Sequence, residues 1–251
     1  MEGPGRAGGG PAGHVVVRVA EPLRFLLHGR HRAAGSRVLG FDPDATVGHL
    51  VQAAGVPLTE VGPLLLDGVP ATPAARPRPG SVVDVAPAPR PEPVTAGGFL
   101  LDVGLGALAR RLRLLGLDVA WSPEDRSPTA DDADLVAQAR AEDRVLLTQD
   151  RRLLMRRALL RGALVRGSRP DDQLADVLDR FAPALAPLTR CTACGGRLEP
   201  VAKEEVADVL PAGTRRTYEE FSRCTACGRV YWRGAHARRI DALIRAAGSR
   251  A

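Results

Sequence analysis

The sequence predicts an α/β protein whose central domain is a parallel sheet with flanking helices, between a small N-terminal domain and a cysteine-rich C-terminal segment. From Gly98 to about Phe181, short apolar runs alternate with helix-like segments, which is typical of a parallel sheet covered on both faces. A proline-rich run at residues 87–93 separates this part from the N-terminal region. Four cysteines form two CxxC pairs near the C-terminus.

The composition argues against a membrane-spanning or secreted protein and modestly favours a polyanion partner. The net charge is +6, and residues 191–251 hold 11 basic and 7 acidic residues, so most of the net charge comes from this last quarter. Aromatic residues make up only 4% of the chain. No window reaches the roughly 18 apolar residues of a membrane span, and the Gly-rich start lacks the apolar core of a signal peptide. The expectation is a cytoplasmic protein without a membrane segment.

The N-terminal region predicts a tail and a small domain. Residues 1–13 are rich in Gly and Pro, which predicts disorder. Residues 14–87 follow the order strand, strand, helix, strand, strand, within the size range of small domains. Three runs resemble the small ubiquitin-like sulfur-carrier proteins: Gly55–Val61, Leu66–Gly68 and Pro79–Val83. The resemblance implies a β-grasp fold. Those carriers act through a free C-terminal Gly-Gly, whereas Gly97-Gly98 precede another domain here, so a structural or partner-docking role is expected.

The central domain is expected at residues 97–188, after a semi-rigid linker at residues 88–96. Its first strand is Phe99–Asp102. The following helix buries a stripe of leucines, and Arg110, Arg111 and Arg113 are expected to face away from it. The remaining strands are expected at residues 118–121, 144–148 and 163–165, and the helices after them begin near Asp131 and span residues 151–160 and 171–181.

Acidic residues follow the predicted strands. Asp102 ends the first strand and Asp150 follows the third. Further acids start two helices: Asp131 or Asp132, and Asp171 or Asp172. All these junctions lie on the carboxyl side of the sheet, where α/β proteins bind ligands. Each Asp could instead simply cap the helix that it precedes; for one Asp alone the cap is the favoured explanation, and for two strands that each end in Asp it is the pocket.

A cluster of carboxylates has a specific chemical consequence. Several of them in one place cannot remain ionised without cations, and oxygen ligands favour Mg²⁺ or Mn²⁺. Such a site hydrolyses phosphodiesters with a metal-activated water, and it needs no Ser or Cys nucleophile. The absence of a GxxxxGK[ST] motif argues against ATP hydrolysis.

The cysteines predict a zinc ribbon at residues 189–240, with a C-terminal tail at 241–251. The pairs are separated by 29 residues, and Gly195 and Gly228 follow them. The four ligands are Cys191, Cys194, Cys224 and Cys227. This pattern is typical of tetrahedral structural zinc, which leaves no open position for catalysis; iron or a redox disulfide is the alternative.

Several motifs together resemble the PIN-like ribonuclease domain of the Mut-seven C-terminal family. They are Phe99–Asp102, Gly106–Arg110, Leu114–Gly116, Asp131-Asp132, Glu142–Thr148 with Asp150, Asp172–Leu174, and Tyr231–Gly234 with His236. The resemblance covers residues 14–240. It implies a metal-dependent ribonuclease whose acids are Asp102, Asp132 and Asp150, together with Asp131 and Asp172. The family often has Arg before the last Asp, where this chain has Gln149, so one phosphate contact is in doubt.

Accessory residues have two interpretations each. The candidate nucleic-acid contacts are Arg110, Arg151, Arg152, Arg233 and His236. The arginines of residues 151–161 could track phosphates or form a solvated helix face, and His236 could assist proton transfer or lie on the surface. Tyr231 and Trp232 could stack a base, although packing against the ribbon is favoured.

The leading prediction is a ribonuclease that hydrolyses RNA at a Mg²⁺ or Mn²⁺ site, with a structural Zn²⁺ in the ribbon and a β-grasp domain that could dock a protein partner. The rival is a non-catalytic RNA- or ribosome-associated binding protein in which the acids are structural. A third is a regulator that recruits a partner protein through the β-grasp domain.

Overall fold

The computed structural model describes residues 13–121, 132–234 and 237–248. The chain divides into two compact units between Pro89 and Arg90. Almost all of the predicted N-terminal tail, together with Asp131 and His236, lies outside the described residues. None of the described helices is long and apolar enough to cross a membrane.

The first unit is a β-grasp fold. Its elements are β1 (His14–Val19), α1 (Arg30–Ala34), β2 (Ser36–Gly40), α2 (Val47–Ala54), β3 (Val61–Leu66), β4 (Val69–Ala71) and β5 (Val82–Pro87). The strands form one sheet in the order β2-β1-β5-β3-β4, in which only β1 and β5 are parallel. Helix α2 begins where Thr46 Oγ1 accepts a hydrogen bond from the His49 amide at 3.2 Å, and it buries Leu50 and Val51. The β-grasp prediction is confirmed.

The second unit contains the predicted parallel sheet. Its first elements are β6 (Phe99–Leu101), α3 (Gly106–Leu114), β7 (Val119–Ala120), α4 (Asp132–Ala141), β8 (Val145–Thr148), α5 (Arg151–Leu154), β9 (Gly162–Leu164) and α6 (Pro170–Phe181). All four strands are parallel, in the order β7-β6-β8-β9. Since each strand is short and buried, it consists almost entirely of apolar residues.

Helices cover both faces of this sheet. One core joins the sheet to α3 and α6, where Phe99 packs edge-on against Phe181 with ring centroids 5.2 Å apart. The other core packs Leu135 and Val136 of α4 and Leu153 of α5 against the opposite face. The predicted three-layer α/β architecture is therefore confirmed.

The remaining elements form a small ribbon and a terminal helix. They are β10 (Leu198–Val201), α7 (Lys203–Val206), α8 (Ala212–Thr217), β11 (Phe221–Cys224), β12 (Val230–Trp232) and α9 (Ala237–Gly248). Strands β10, β11 and β12 make an antiparallel sheet. Residues 241–248, expected as part of a tail, lie in α9, because the apolar side of this helix packs into the core of the α/β domain and leaves Ala247 only 2% exposed.

Two local expectations differ from the structure. The helix expected at residues 151–160 ends at Leu154, since the chain turns back to start β9 and inserts Leu159 into the core beside α5. Arg113, expected to face away from the apolar stripe, is only 1% exposed. Backbone carbonyl oxygens surround its guanidinium group, which makes burial of the charge possible.

Candidate functional site

Asp102 and Asp150 lie at the carboxyl ends of two neighbouring strands. Asp102 directly follows β6, and Asp150 lies between β8 and α5. The order β7-β6-β8 sends the chain to opposite sides from these two strands. Such a reversal opens a crevice at the carboxyl edge of a parallel sheet, where ligands bind in proteins of this architecture.

A threonine joins the two acids. Thr148 is fully buried, and its hydroxyl donates to Asp102 Oδ2 at 2.8 Å. The Thr148 Oγ1 atom also accepts a hydrogen bond from the Asp150 amide at 2.9 Å. The end of β8 therefore fixes the carboxylate of Asp102 and the backbone of Asp150 at once, and the sequence analysis did not identify Thr148 as part of the site. The one sequence feature that could have pointed to Thr148 is a hydroxyl side chain at the end of an otherwise apolar strand.

Both acids also cap local backbone, as the alternative interpretation of the sequence supposed. Asp102 Oδ1 accepts from the Val103 amide at 2.6 Å. Asp150 Oδ1 accepts from the Arg152 amide at 2.7 Å at the start of α5. Each cap satisfies an amide that the following helical turn leaves without an internal partner. Capping and placement at a common rim are thus both present.

The other predicted acids are placed differently. Asp132 begins α4, and its Oδ2 lies 3.3 Å from Nη2 of Arg156. Asp172 is exposed in the first turn of α6, beside Asp171, which pairs with Arg111 at 3.0 Å. Within the described part of the chain, the four cysteines are the only group of three or more metal-ligating side chains that lie close enough to share an ion. The structure therefore links Asp102 with Asp150 and does not bring Asp132 or Asp172 into a common cluster with them.

Gln149, where the resembled family often has Arg, ties two loops together. Its Nε2 donates to the Gly167 carbonyl at 2.7 Å, and Nε2 of Gln173 donates to the same oxygen at 3.3 Å. Gly167 has a φ of +93°, and a Cβ there would lie 2.6 Å from Cβ of Asp172. Gln149 thus holds the loop before α6 against the site rim.

The candidate nucleic-acid residues lie in different surroundings. Arg151 and Arg152 directly follow Asp150, with Arg152 exposed. The Arg110 guanidinium lies over the Trp121 ring, 5.6 Å from its centroid. Arg233 on the ribbon pairs with Asp241 at 2.8 and 2.9 Å. Arg151 and Arg152 are therefore the candidates nearest to the two acids along the chain.

The four cysteines form a compact cluster. The Sγ atoms of Cys191 and Cys227 are 3.7 Å apart, and those of Cys194 and Cys224 are 3.5 Å apart. Tetrahedral zinc with Zn–S bonds of about 2.3 Å places its sulfurs roughly 3.8 Å apart. The donor set and the spacing therefore fit a metal such as zinc.

The electrostatics of this cluster also call for a cation. Burial opposes ionisation of Cys191, but hydrogen bonds from the Tyr231 hydroxyl and from backbone amides outweigh it and lower the pKa of Cys191 to about 6. Burial and the neighbouring cysteines raise the pKa of Cys194 to about 12. Near neutral pH the four groups are not all thiolates until a metal supplies compensating charge.

Tyr231 and Arg113 surround the cysteine cluster. The Tyr231 hydroxyl lies 3.0 Å from Cys191 Sγ, so this side chain contacts the cysteine cluster directly. Arg113 donates to the Ala193 carbonyl at 2.5 Å. Burial lowers the pKa of Arg113 against the opposing effect of Cys194, Cys191 and Asp118. From the apolar periodicity of α3, Arg113 was expected to face away from the buried stripe, so its role could not be predicted.

Comparisons with known proteins cover both units. The family described as Mut7-C RNAse domain matches residues 97–244, and the family described as Mut7-C ubiquitin matches residues 12–92. No curated protein matches the chain. Among solved structures, the crystal structure of SAMP1 from Haloferax volcanii is 18% identical, covers 31% of this chain and 98% of its own, and has a TM-score of 0.25.

Proposed function

The chain belongs to the Mut7-C RNAse domain family, and from that premise we propose that it is a metal-dependent ribonuclease acting at the rim that carries Asp102 and Asp150. The substrate class is RNA, and the reaction is hydrolysis of a phosphodiester bond. The observation that carries this proposal is the Thr148 hydroxyl, which orients Asp102 and holds the backbone of Asp150 at the switch point of a parallel sheet.

Two carboxylates are enough for the ion that the proposal needs. Mg²⁺ in phosphate-processing sites is often held by one or two carboxylates, with waters and substrate phosphates completing its coordination. When bound, Mg²⁺ or Mn²⁺ supplies an activated water and stabilises charge on the leaving oxygen. Asp102 and Asp150 would hold that ion, and Asp131, Asp132 and Asp172 would add further negative charge.

RNA binding relies on the basic residues and the ribbon. Arg151 and Arg152 follow the catalytic Asp150, and Arg110, Arg233 and His236 supply further contacts to the phosphate backbone. Cys191 and the other three cysteines hold a structural Zn²⁺, which folds the ribbon that presents Arg233. The β-grasp unit docks a protein partner and is dispensable for the chemistry, and the protein acts in the cytoplasm.

A second candidate function is an RNA- or ribosome-associated binding protein without catalysis. It is favoured by one observation: Asp102 and Asp150 each cap a backbone amide, at 2.6 and 2.7 Å, which gives both acids a structural role. The two functions differ in their dependence on divalent metal. The test is cleavage of single-stranded RNA by the full-length protein with Mn²⁺, compared with Asp102→Asn and Asp150→Asn variants.

A further inference from the structure

Arg113 bridges two parts of the second unit through backbone carbonyl groups alone. From the last turn of α3, its guanidinium donates to the Val119 carbonyl at 3.0 and 3.1 Å and to the Trp121 carbonyl at 2.8 Å. Its remaining nitrogen donates to Ala193 at 2.5 Å, with Thr192 at 3.5 Å. One buried cation therefore joins the edge strand β7 to the loop between Cys191 and Cys194.

That loop, the first cysteine loop (Cys191–Gly195), rests against β7 at further points. Arg190, the residue before it, pairs with Asp118 at 2.7 Å. A Cβ on Gly195 would lie 3.2 Å from both the Val119 carbonyl oxygen and Nε of Arg113. The loop is thus packed onto the strand edge, and its conformation and that of β7 depend on each other.

Trp121 contacts the turn beside Asp102 at the site rim. Its indole N–H donates to the Val103 carbonyl at 3.2 Å. A Cβ on Gly106 would lie 2.4 Å from the ring, so the indole packs directly against the start of α3. The Val103 amide in turn donates to Asp102 Oδ1 at 2.6 Å. The residue whose carbonyl Arg113 holds therefore contacts the turn that orients Asp102.

We propose that Arg113 is a positioning residue that couples metal binding at the four cysteines to the placement of Asp102. The coupling has a physical cause in the burial of its charge. When metal holds Cys191 and Cys194, the loop between them presents the Ala193 carbonyl to the guanidinium. When the metal leaves and the loop loosens, a buried cation loses part of its acceptors, which is unfavourable. Arg113 then moves, and the Trp121 carbonyl that it holds moves with it.

The coupling is reciprocal: if metal binding at the cysteines favours one placement of Asp102, then fixing that placement of Asp102 favours metal binding at the cysteines to the same extent. Anything that fixes the turn at Val103 also favours the loop geometry that binds metal. The consequence for catalysis rests on the proposed function, whereas the coupling itself does not. A measurement on Trp121 therefore tests the coupling without any cleavage assay.

The experiment uses the fluorescence of Trp121 in the full-length protein. The chain has two tryptophans, so a Trp232→Phe substitution leaves Trp121 as the only one. We expect its emission to shift to longer wavelength when Zn²⁺ is removed with a chelator, because the indole loses packing against Gly106. The shift reverses when Zn²⁺ is added back. If the Trp121 emission wavelength is the same with and without Zn²⁺, the proposal is wrong, whatever the behaviour of further variants.

Two further substitutions in the same background identify Arg113 as the link. Lys at position 113 keeps the charge but cannot span both groups of carbonyls with a planar fork, so Arg113→Lys should bind Zn²⁺ while its emission shift falls at least twofold. Arg111→Lys is the matched control, since Arg111 lies on the same helix and pairs with Asp171 instead; its shift should stay full. An undiminished shift in Arg113→Lys contradicts the assignment, because simple unfolding of the ribbon would move Trp121 in both variants alike.

Discussion

The Thr148 hydroxyl donates to Asp102 Oδ2 at 2.8 Å from a position with no solvent exposure. Because Thr148 also accepts the Asp150 amide, we predict that Thr148→Val, which keeps the shape of the side chain, lowers RNA cleavage at least tenfold. Loss of the two hydrogen bonds should also reduce the free energy of unfolding by about 1–2 kcal/mol. Urea unfolding and initial cleavage rates measure the two effects.

The matched control is Thr148→Ser, which keeps the hydroxyl and removes a methyl group. It should retain most of the cleavage activity while losing a comparable amount of stability to a small cavity. If Thr148→Val and Thr148→Ser cleave RNA equally well, the hydroxyl does not orient the acids, and the role assigned to Thr148 is wrong.

The two cysteine loops should respond differently to loss of a ligand. Cys191 lies in the loop that Arg113 bonds to β7, whereas Cys224 ends β11 within the ribbon. We predict that Cys224→Ser frees the ribbon to proteolysis between about residues 198 and 232, and that Cys191→Ser does so and also lowers the melting temperature of the α/β domain. Limited proteolysis with mass spectrometry and thermal melts distinguish these outcomes. Equal melts for the two variants would count against the attachment.

The cysteine cluster should bind zinc more tightly as pH rises. The pKa values of Cys194, at about 12, and Cys227 are both raised above the ordinary thiol value, so both groups are protonated at neutral pH without metal and must release protons on binding. The protons released by these two groups alone correspond to a gain of at least about a hundredfold in affinity per pH unit. Below about pH 6, Cys191 is protonated too, and the dependence steepens. Competition with a chelator of known affinity at pH 6.5, 7.0 and 7.5 gives the slope, and a flat profile contradicts the assignment.

Arg90 and Glu92, just after the unit boundary, form ion pairs with the α/β domain and are expected to stabilise it. Nε of Arg180, which is 3% exposed, donates to Glu92 at 2.6 Å, and Arg90 pairs with Asp176 at 3.4 Å and with Asp179. We predict that a fragment beginning at Pro89 keeps the stability and cleavage of the full chain. A fragment beginning at Thr95 should lose roughly 1–3 kcal/mol, because Arg180 loses its carboxylate. Chemical denaturation of both fragments measures this, and equal stability would refute it.

The sequence was sufficient for the architecture because periodicity and spacing are local signals. Alternation of apolar runs with helix-like segments predicted the parallel sheet, and the CxxC spacing predicted the cysteine cluster that the structure forms. The placement of Asp102 and Asp150 at one rim also followed from chain order, since both come directly after buried strands.

The contacts that join distant segments could not be read in the same way. Arg113 looked like one of several surface arginines, because all its acceptors are backbone carbonyls, which the residue type does not reveal. Two of them lie 79 and 80 residues away in sequence. Gln149 raised doubt about a phosphate contact, whereas its observed partner is the carbonyl of Gly167. Helix α5 is shorter than expected because the chain must turn back to form β9, although the sequence pattern favours a longer helix.

The most direct test of the account combines metal dependence and cleavage in Asp102→Asn and Asp150→Asn. Asn also caps helices, so both variants should stay folded and, without metal, melt no lower than the unsubstituted protein. They should lose the stabilisation that Mn²⁺ provides by binding the native state. They should also cleave single-stranded RNA at least a hundredfold more slowly. Variants that still cleave RNA, with melts that ignore Mn²⁺ in every form of the protein, would contradict a metal-dependent ribonuclease and support the binding protein instead.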